Sequence, residues 1–311
     1  MRAVVTGATG FVGRSLVGEL PSPIVLSRDP ERAARQGAPS GITAMGWDPS
    51  HQPAPAAAFE GAEVVFHLAG EPIANGRWTA AKKRRLWDSR VTGTRHLIAG
   101  LESVRSRPRV LVCASAIDYY GDRGDQELRE SDSPGEGFLA ELCVEWERAA
   151  GAAEALGLRV VQLRIGLVLG TSGGLLARLV PLFRLGLGSP LGTGRQWMSW
   201  IAKPDLVALL LASAKQETFS GPINATAPDP VTNRQFTKTL AGVLRRPAWL
   251  PAVPYPALRI AVGELAGSLV ASHRVLPTRA LDAGFAFQHA SLQGALEHLL
   301  GPGQGNDAGT P

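Results

Sequence analysis

Few chain architectures accommodate the opening turn of this sequence. Thr6-Gly7-Ala8-Thr9-Gly10-Phe11-Val12-Gly13 follows the short apolar run Ala3–Thr6 and leads into a helical pattern. Gly7 permits the tight strand-to-helix turn. Gly10 removes the Cβ that would obstruct a pyrophosphate, and Gly13 lets the helix settle against the sheet. Amides at the start of the helix then face the phosphates. The turn predicts a βαβ unit that holds a dinucleotide, with Thr6, Gly7, Thr9, Gly10, Phe11, Val12 and Gly13 around it.

The first half of the chain continues the same alternation. Strands are expected at Ala3–Thr6, Ile24–Ser27, Ile42–Met45, Glu63–Leu68, Val110–Ala114 and Arg159–Leu163, with helical patterns near 11–20, 79–102 and 138–156. This is the pattern of an α/β chain with a Rossmann-type doubly wound parallel sheet. After Leu169 the alternation stops. Gly170-Thr171-Ser172-Gly173-Gly174 reads as a flexible loop, and a Gly/Pro-rich stretch occupies 186–194. Helices are expected at 175–186, from near Asp205, around Leu258–Leu269 and at Leu292–Leu300, with one more strand at Pro222–Ala225. Residues 1–230 form the expected nucleotide-binding domain with substrate-lid insertions. Residues 231–300 form a small, mostly helical C-terminal domain, and 301–311 a disordered tail.

Which dinucleotide binds is decided where the second strand ends, at Ser27-Arg28-Asp29. An acidic residue there accepts from the ribose 2′-OH of NAD, whereas a guanidinium clasps the 2′-phosphate of NADP. Arg28 with Ser27 favours NADP(H). The alternative makes Arg28 an ordinary surface arginine and gives the ribose to Asp29. His67-Leu68-Ala69-Gly70, after the fourth strand, supplies a second small-residue turn where backbone can pass close to the cofactor.

Bulk properties exclude other classes. At 311 residues and 45% apolar content the chain can bury a full core, and its net charge is only +5. The run Lys82-Lys83-Arg84-Arg85 reads as a solvated helix face rather than a nucleic-acid patch. Cys113 and Cys143 form no redox pair, and the six histidines lack ligand spacing, so no metal site is indicated. No signal peptide or bilayer-length apolar run is evident. The expectation is a cytoplasmic monomer or homodimer that binds a small molecule, with no nucleic-acid and no membrane partner.

Further motifs narrow the reading: Leu68-Ala69-Gly70-Glu71-Pro72-Ile73, Arg77-Trp78-Thr79, Ser89-Arg90, Ser115-Ala116 with Tyr119-Tyr120-Gly121, and Phe138-Leu139-Ala140. Arg164-Ile165-Gly166-Leu167-Val168-Leu169-Gly170, Phe183-Arg184-Leu185-Gly186-Leu187-Gly188 and Arg274-Val275-Leu276-Pro277 extend them. With these the chain resembles the short-chain dehydrogenase/reductase superfamily, and more narrowly its epimerase-like family 39U, whose members end in a small domain of unknown function. The resemblance covers Val4 to about Leu300. It implies an NADP-binding, extended-type fold with nucleotide contacts at Ser27, Arg28, Leu68, Ala69, Arg90 and Leu167.

The superfamily's reductive chemistry uses a Tyr-x-x-x-Lys pair, in which the lysine lowers the tyrosine pKa. Matched against Glu147, those positions hold Leu139 and Cys143. The Ser/Thr position is Ala116, with Ser115 one place upstream, and the Asn of sugar-nucleotide enzymes is Leu167. Tyr120 and Ser115 are therefore the candidate catalytic residues, and Tyr119, Arg195, Trp197 and Trp200 the candidate substrate contacts. For Tyr119 and Tyr120 the alternative is a pair of rings that only wall the pocket. Two functional readings stand: an NADP(H)-dependent oxidoreductase or epimerase acting on a small molecule, and a non-catalytic NADP(H)-binding sensor.

Overall fold

Continuous apolar runs such as Ala3-Val4-Val5 have no solvent-facing side, so their strands must lie inside a sheet covered on both faces. The computed structural model describes residues 1–35 and 41–301. It places β1 (Ala3–Thr6), β2 (Ile24–Ser27), β3 (Thr43–Gly46), β4 (Val64–His67), β5 (Val110–Ala116), β6 (Arg159–Ile165) and β7 (Gly221–Ala225) in one sheet. The spatial order is β7-β6-β5-β4-β1-β2-β3, and every pairing is parallel. The chain reverses its direction of winding between β1 and β4, which opens a crevice at their carboxyl ends. β5 and β6 each run two residues past expectation because they pair along their whole length, from Val110↔Arg159 to Ala116↔Ile165.

One face of the sheet carries α1 (Gly13–Gly18), whose Leu16 and Val17 join the core with Leu206 and Leu210. A short helix, α2 (Pro30–Arg35), follows β2. The helix expected over 79–102 is in three parts: α3 (Ala80–Trp87), a π-helical turn at Asp88–Thr92, and α4 (Gly93–Glu102). The extra residue in a π turn rotates what it carries, and such turns recur at functional sites. Here it turns Arg90 inward, to 9% exposure. With α5 (Phe138–Gly151), this side packs Leu97, Ile98, Leu101 and Trp146 against the second face.

The remaining helices are α6 (Gly174–Arg184), α7 (Lys203–Lys215), α8 (Asn233–Val243), α9 (Tyr255–Val262), α10 (Leu265–Val270), α11 (Thr278–Asp282) and α12 (Leu292–Leu300). α8 was not anticipated, although Thr232 and Gln235 form a capping box at its start. The single helix expected over 258–269 breaks at Gly263, where φ is +67°. A third apolar cluster joins Leu176, Phe183 and Trp200 to Phe236, Leu240 and Leu296. This smaller layer thus draws on chain from both sides of residue 230. The tail expected over 301–311 lies, apart from Gly301, outside the described residues.

Candidate nucleotide site

A cleft of about 290 Å³ opens at the crevice between β1 and β4. Gly7, Thr9 and Gly10 form one wall, Ser27 and Arg28 an end, and Leu68, Ala69 and Gly70 the opposite wall. Trp47, Pro49 and Ser50 close the side beyond β3. These are residues from four separate turns, brought to one edge by parallel strands of nearly equal length.

The glycines act as the turn requires. Gly7 has φ +72°, and a Cβ there would stand 2.6 Å from the Leu68 carbonyl; at Gly13 it would stand 2.2 Å from the Gly7 oxygen. Both would force backbone apart. A Cβ on Gly10 would meet only the Gly7 oxygen, at 3.1 Å, so that position is open to the cleft.

Behind this wall lies a buried polar chain. The Leu68 and Ala69 amides both donate to Thr6 Oγ1 at 3.2 Å. With two donors on its oxygen, the Thr6 hydroxyl proton points at His67 Nδ1, 2.7 Å away. The Nε2–H of His67 is then left to donate to Thr94 Oγ1 at 3.0 Å. Thr6 is therefore a latch beneath the site rather than part of its lining.

Burial lowers the His67 pKa from 6.5 to about 4. The unfolded chain takes up a proton between those values and the native one does not. Stability is thus fully present above pH 6.5 and falls as the pH drops towards 4, by about 3 kcal/mol in total. Urea midpoints measured across this window should show the loss, and His67→Gln should flatten it. Equal slopes for the two proteins would contradict the assignment.

Phe11 and Val12 do not line the cleft either. The Phe11 ring is turned into the loop at Gly170, Gly173 and Gly174, where added Cβ atoms would stand 2.7–2.9 Å from it. The expected flexible loop is a glycine sleeve around one ring. Leu167 lies in the short strand Leu167–Leu169, paired with Trp200–Ala202. Arg90 sits behind Gly70, donates to the Glu71 carbonyl at 3.0 Å, and lies 5.2 Å from the Trp146 ring centroid. Burial lowers its pKa, opposed by Cys143, Asp118 and Glu71.

Asp29 has its own work. Its Oδ1 accepts from the Arg32 amide at 2.9 Å, capping the first turn of α2. Arg28 is exposed at the cleft's end, with no hydrogen bond from its guanidinium among the described residues. Its charge acts on Asp48. Burial pushes the Asp48 carboxyl up, but the Ser50 amide, His51 and Arg28 together hold it below the usual carboxylate range.

Several expectations need correction. Tyr120 is fully buried, and its hydroxyl donates to Asn224 Oδ1 at 2.7 Å while accepting from Arg164 Nη1 at 2.9 Å. Burial pushes its pKa up to about 12, against the lowering effect of Arg164 and Asn224. A phenol so enclosed cannot reach a substrate. Ser115 is also buried and donates to Glu147 Oε1 at 2.7 Å. Glu147 grips Arg164 through two further bonds of 2.9 Å, and the Arg164 guanidinium lies 3.4 Å from the Tyr119 ring centroid. The two hydroxyls belong to a structural network centred on a buried ion pair, which residue-type reasoning missed because an arginine inside a strand gives no local sign of its partner.

Trp200 is also corrected: it is a core residue of the third cluster, and its Nε1 donates to the Asp229 carbonyl at 2.9 Å. Trp197 is half-buried, donating to Asp125 and lying beneath Arg274, and Arg195 is exposed. Lys82 is no solvated residue. It is 2% exposed and donates to Glu71 Oε1 at 2.8 Å and to the Pro72 carbonyl at 2.7 Å, bracing the turn after β4. Among the described residues no cluster of three or more His, Cys, Asp or Glu is placed to hold a metal, and no helix is long and apolar enough to cross a membrane.

The parallel sheet, its order and the cleft at the switch point define a nucleotide-binding protein of the short-chain dehydrogenase/reductase type. The chain belongs to the NAD dependent epimerase/dehydratase family, whose model matches residues 3–224; a domain of unknown function matches residues 253–299. It is similar to an epimerase family protein, Mb2239, of Mycobacterium bovis, at 39% identity over 94% of this chain and 95% of that one. The chloroplastic SDR39U1 homolog of Arabidopsis thaliana is 37% identical over 96% of this chain and 87% of its own. Among solved structures, the human epimerase family protein SDR39U1 (isoform 2) with NADPH superposes with a TM-score of 0.84 at 28% identity, covering 96% of this chain and 99% of that one.

Proposed function

We propose that this chain binds NADP(H) rather than NAD(H), with Arg28 and Ser27 reading the 2′-phosphate. One observation carries the reading: the acidic side chain at the end of β2, which NAD binding would need, is spent on capping α2, while the neighbouring guanidinium lines the cleft. The NADPH in the human SDR39U1 structure supports it. Gly7, Thr9 and Gly10 would hold the pyrophosphate, and Leu68, Ala69 and Gly70 would border the coenzyme on the other side. Arg90 adds positive charge behind Gly70. Bound NADP(H) supplies hydride chemistry, and the protein's part is to orient it and exclude water.

Charge-assisted hydrogen bonds to a phosphate are worth enough to change affinity roughly 10- to 100-fold. Arg28→Ala should therefore weaken NADPH binding by about that factor and leave NADH binding unchanged, as read by coenzyme fluorescence titration. Equal affinity of the intact protein for both coenzymes would remove the argument.

On the reaction, the catalytic reading is an oxidoreductase or epimerase acting on a small molecule, in which some group other than Tyr120 and Ser115 moves the proton. Tyr119, on the same turn and half-buried, is the phenol that remains. The sensor reading has an observation of its own: Leu139 and Cys143 occupy the usual acid–base positions, and both nearby hydroxyls are locked into the Arg164–Glu147 network.

A further inference from the structure

Two stretches of this chain, residues 155–204 and 230–263, contain no aspartate or glutamate, although the chain has 27 such residues. The fold lays them side by side. Ser189 Oγ donates to the Pro251 carbonyl at 2.6 Å, the Val253 amide to that of Pro190 at 2.8 Å, and the Gly192 amide to that of Val253 at 2.9 Å. Arg184, Arg234, Lys238, Arg245 and Arg246 are exposed along this seam, and none pairs with a carboxylate among the described residues. On the same two stretches Trp249 is 87% exposed and Leu185 74%, with Leu187 and Leu250 also exposed. A cavity of about 450 Å³ opens at the seam, its cationic wall made by Arg234, Lys238 and Arg246 and its apolar wall by Leu250, Pro190 and Pro251.

From this arrangement we infer that the seam is a docking face for an anionic lipid bilayer. Lipid phosphates enter the cationic cavity, and Trp249, Leu185 and Leu250 sink into the boundary between headgroups and acyl chains. Each half of the surface supplies one of the two attractions that peripheral binding needs, namely apolar burial and charge. An exposed tryptophan suits that boundary because its ring is apolar and its N–H is polar. A second copy of the chain does not fit, since a symmetric contact would set arginine against arginine with no acid to answer it. Nucleic acid fits poorly, because leucines neither stack on bases as aromatic rings do nor bond phosphates. Docking of this kind needs no spanning helix, and it replaces the sequence-based expectation of no membrane partner.

The test is sedimentation of the full chain with vesicles of phosphatidylcholine alone and of phosphatidylcholine mixed with phosphatidylglycerol. The expected result is capture by the mixed vesicles only, weakening as salt is added. The double substitution Arg245→Glu/Arg246→Glu should reduce capture by at least ~10-fold, since each basic residue near such a surface contributes to binding. Trp249→Ala should weaken it as well, and NADPH affinity should stay unchanged in both variants. Four results would overturn the inference: no capture, equal capture by neutral vesicles, capture insensitive to both variants, or stronger binding to a DNA duplex at matched salt. A dimer in light scattering that Trp249→Ala dissolves would assign the face to a second copy and overturn it too.

Discussion

Glu147→Ala is expected to destabilise the protein by about 3–5 kcal/mol, the cost of leaving one member of a buried ion pair without its partner. Arg164 is 3% exposed at its side chain and Glu147 10%, so water cannot replace the lost carboxylate. Burial alone would lower the Arg164 pKa, but the bonds and charge of Glu147 outweigh it and hold the guanidinium protonated. Without Glu147, the hydrogen bonds left to that charge among the described residues are those to the Tyr120 hydroxyl and the Glu130 carbonyl, beside the Tyr119 ring, and Ser115 loses its acceptor. Urea unfolding measures the loss. Glu147→Leu combined with Arg164→Met should cost less than the sum of the two single changes, because no orphaned charge remains. A loss below about 1 kcal/mol for Glu147→Ala would mean that the pair is solvated in practice.

Gly10→Val is expected to abolish coenzyme binding, by on the order of 100-fold or more, while the protein stays folded. The branched side chain would fill the space the pyrophosphate needs. The contrast with its neighbours makes the result informative. At Gly7 and Gly13 a Cβ collides with backbone, so substitution there should unfold the turn itself; at Gly10 it meets one oxygen at 3.1 Å. Titration with NADPH, with circular dichroism as the check on folding, separates the two cases. A folded Gly10→Val protein with native affinity would place the nucleotide elsewhere.

Tyr120 and Arg28 show how far side-chain type could be trusted. The place of Arg28 at the end of the cleft was legible because it depends only on where β2 ends and on an upstream turn whose geometry the glycines announce. The role of Tyr120 is not legible in the sequence, because its hydroxyl's partners, Asn224 and Arg164, come from β7 and β6, and nothing near Tyr120 in the chain records them. The same holds for Lys82, whose acceptors lie on the turn after β4, and for Trp200, which shares the third apolar cluster with residues of α8 and α12.

The sequence by itself determined the alternation of strands and helices, the glycine turn and the cationic end of β2. These follow from local sterics and from apolar periodicity, both of which are written in adjacent residues. Only the tertiary structure decided which polar groups are free to act and which are consumed in the interior. It also brought two acid-poor stretches into one basic, apolar seam. Such pairings depend on which strands and loops become neighbours, and burial then turns an ordinary hydroxyl or cation into a committed partner, because an unsatisfied polar group away from water is costly.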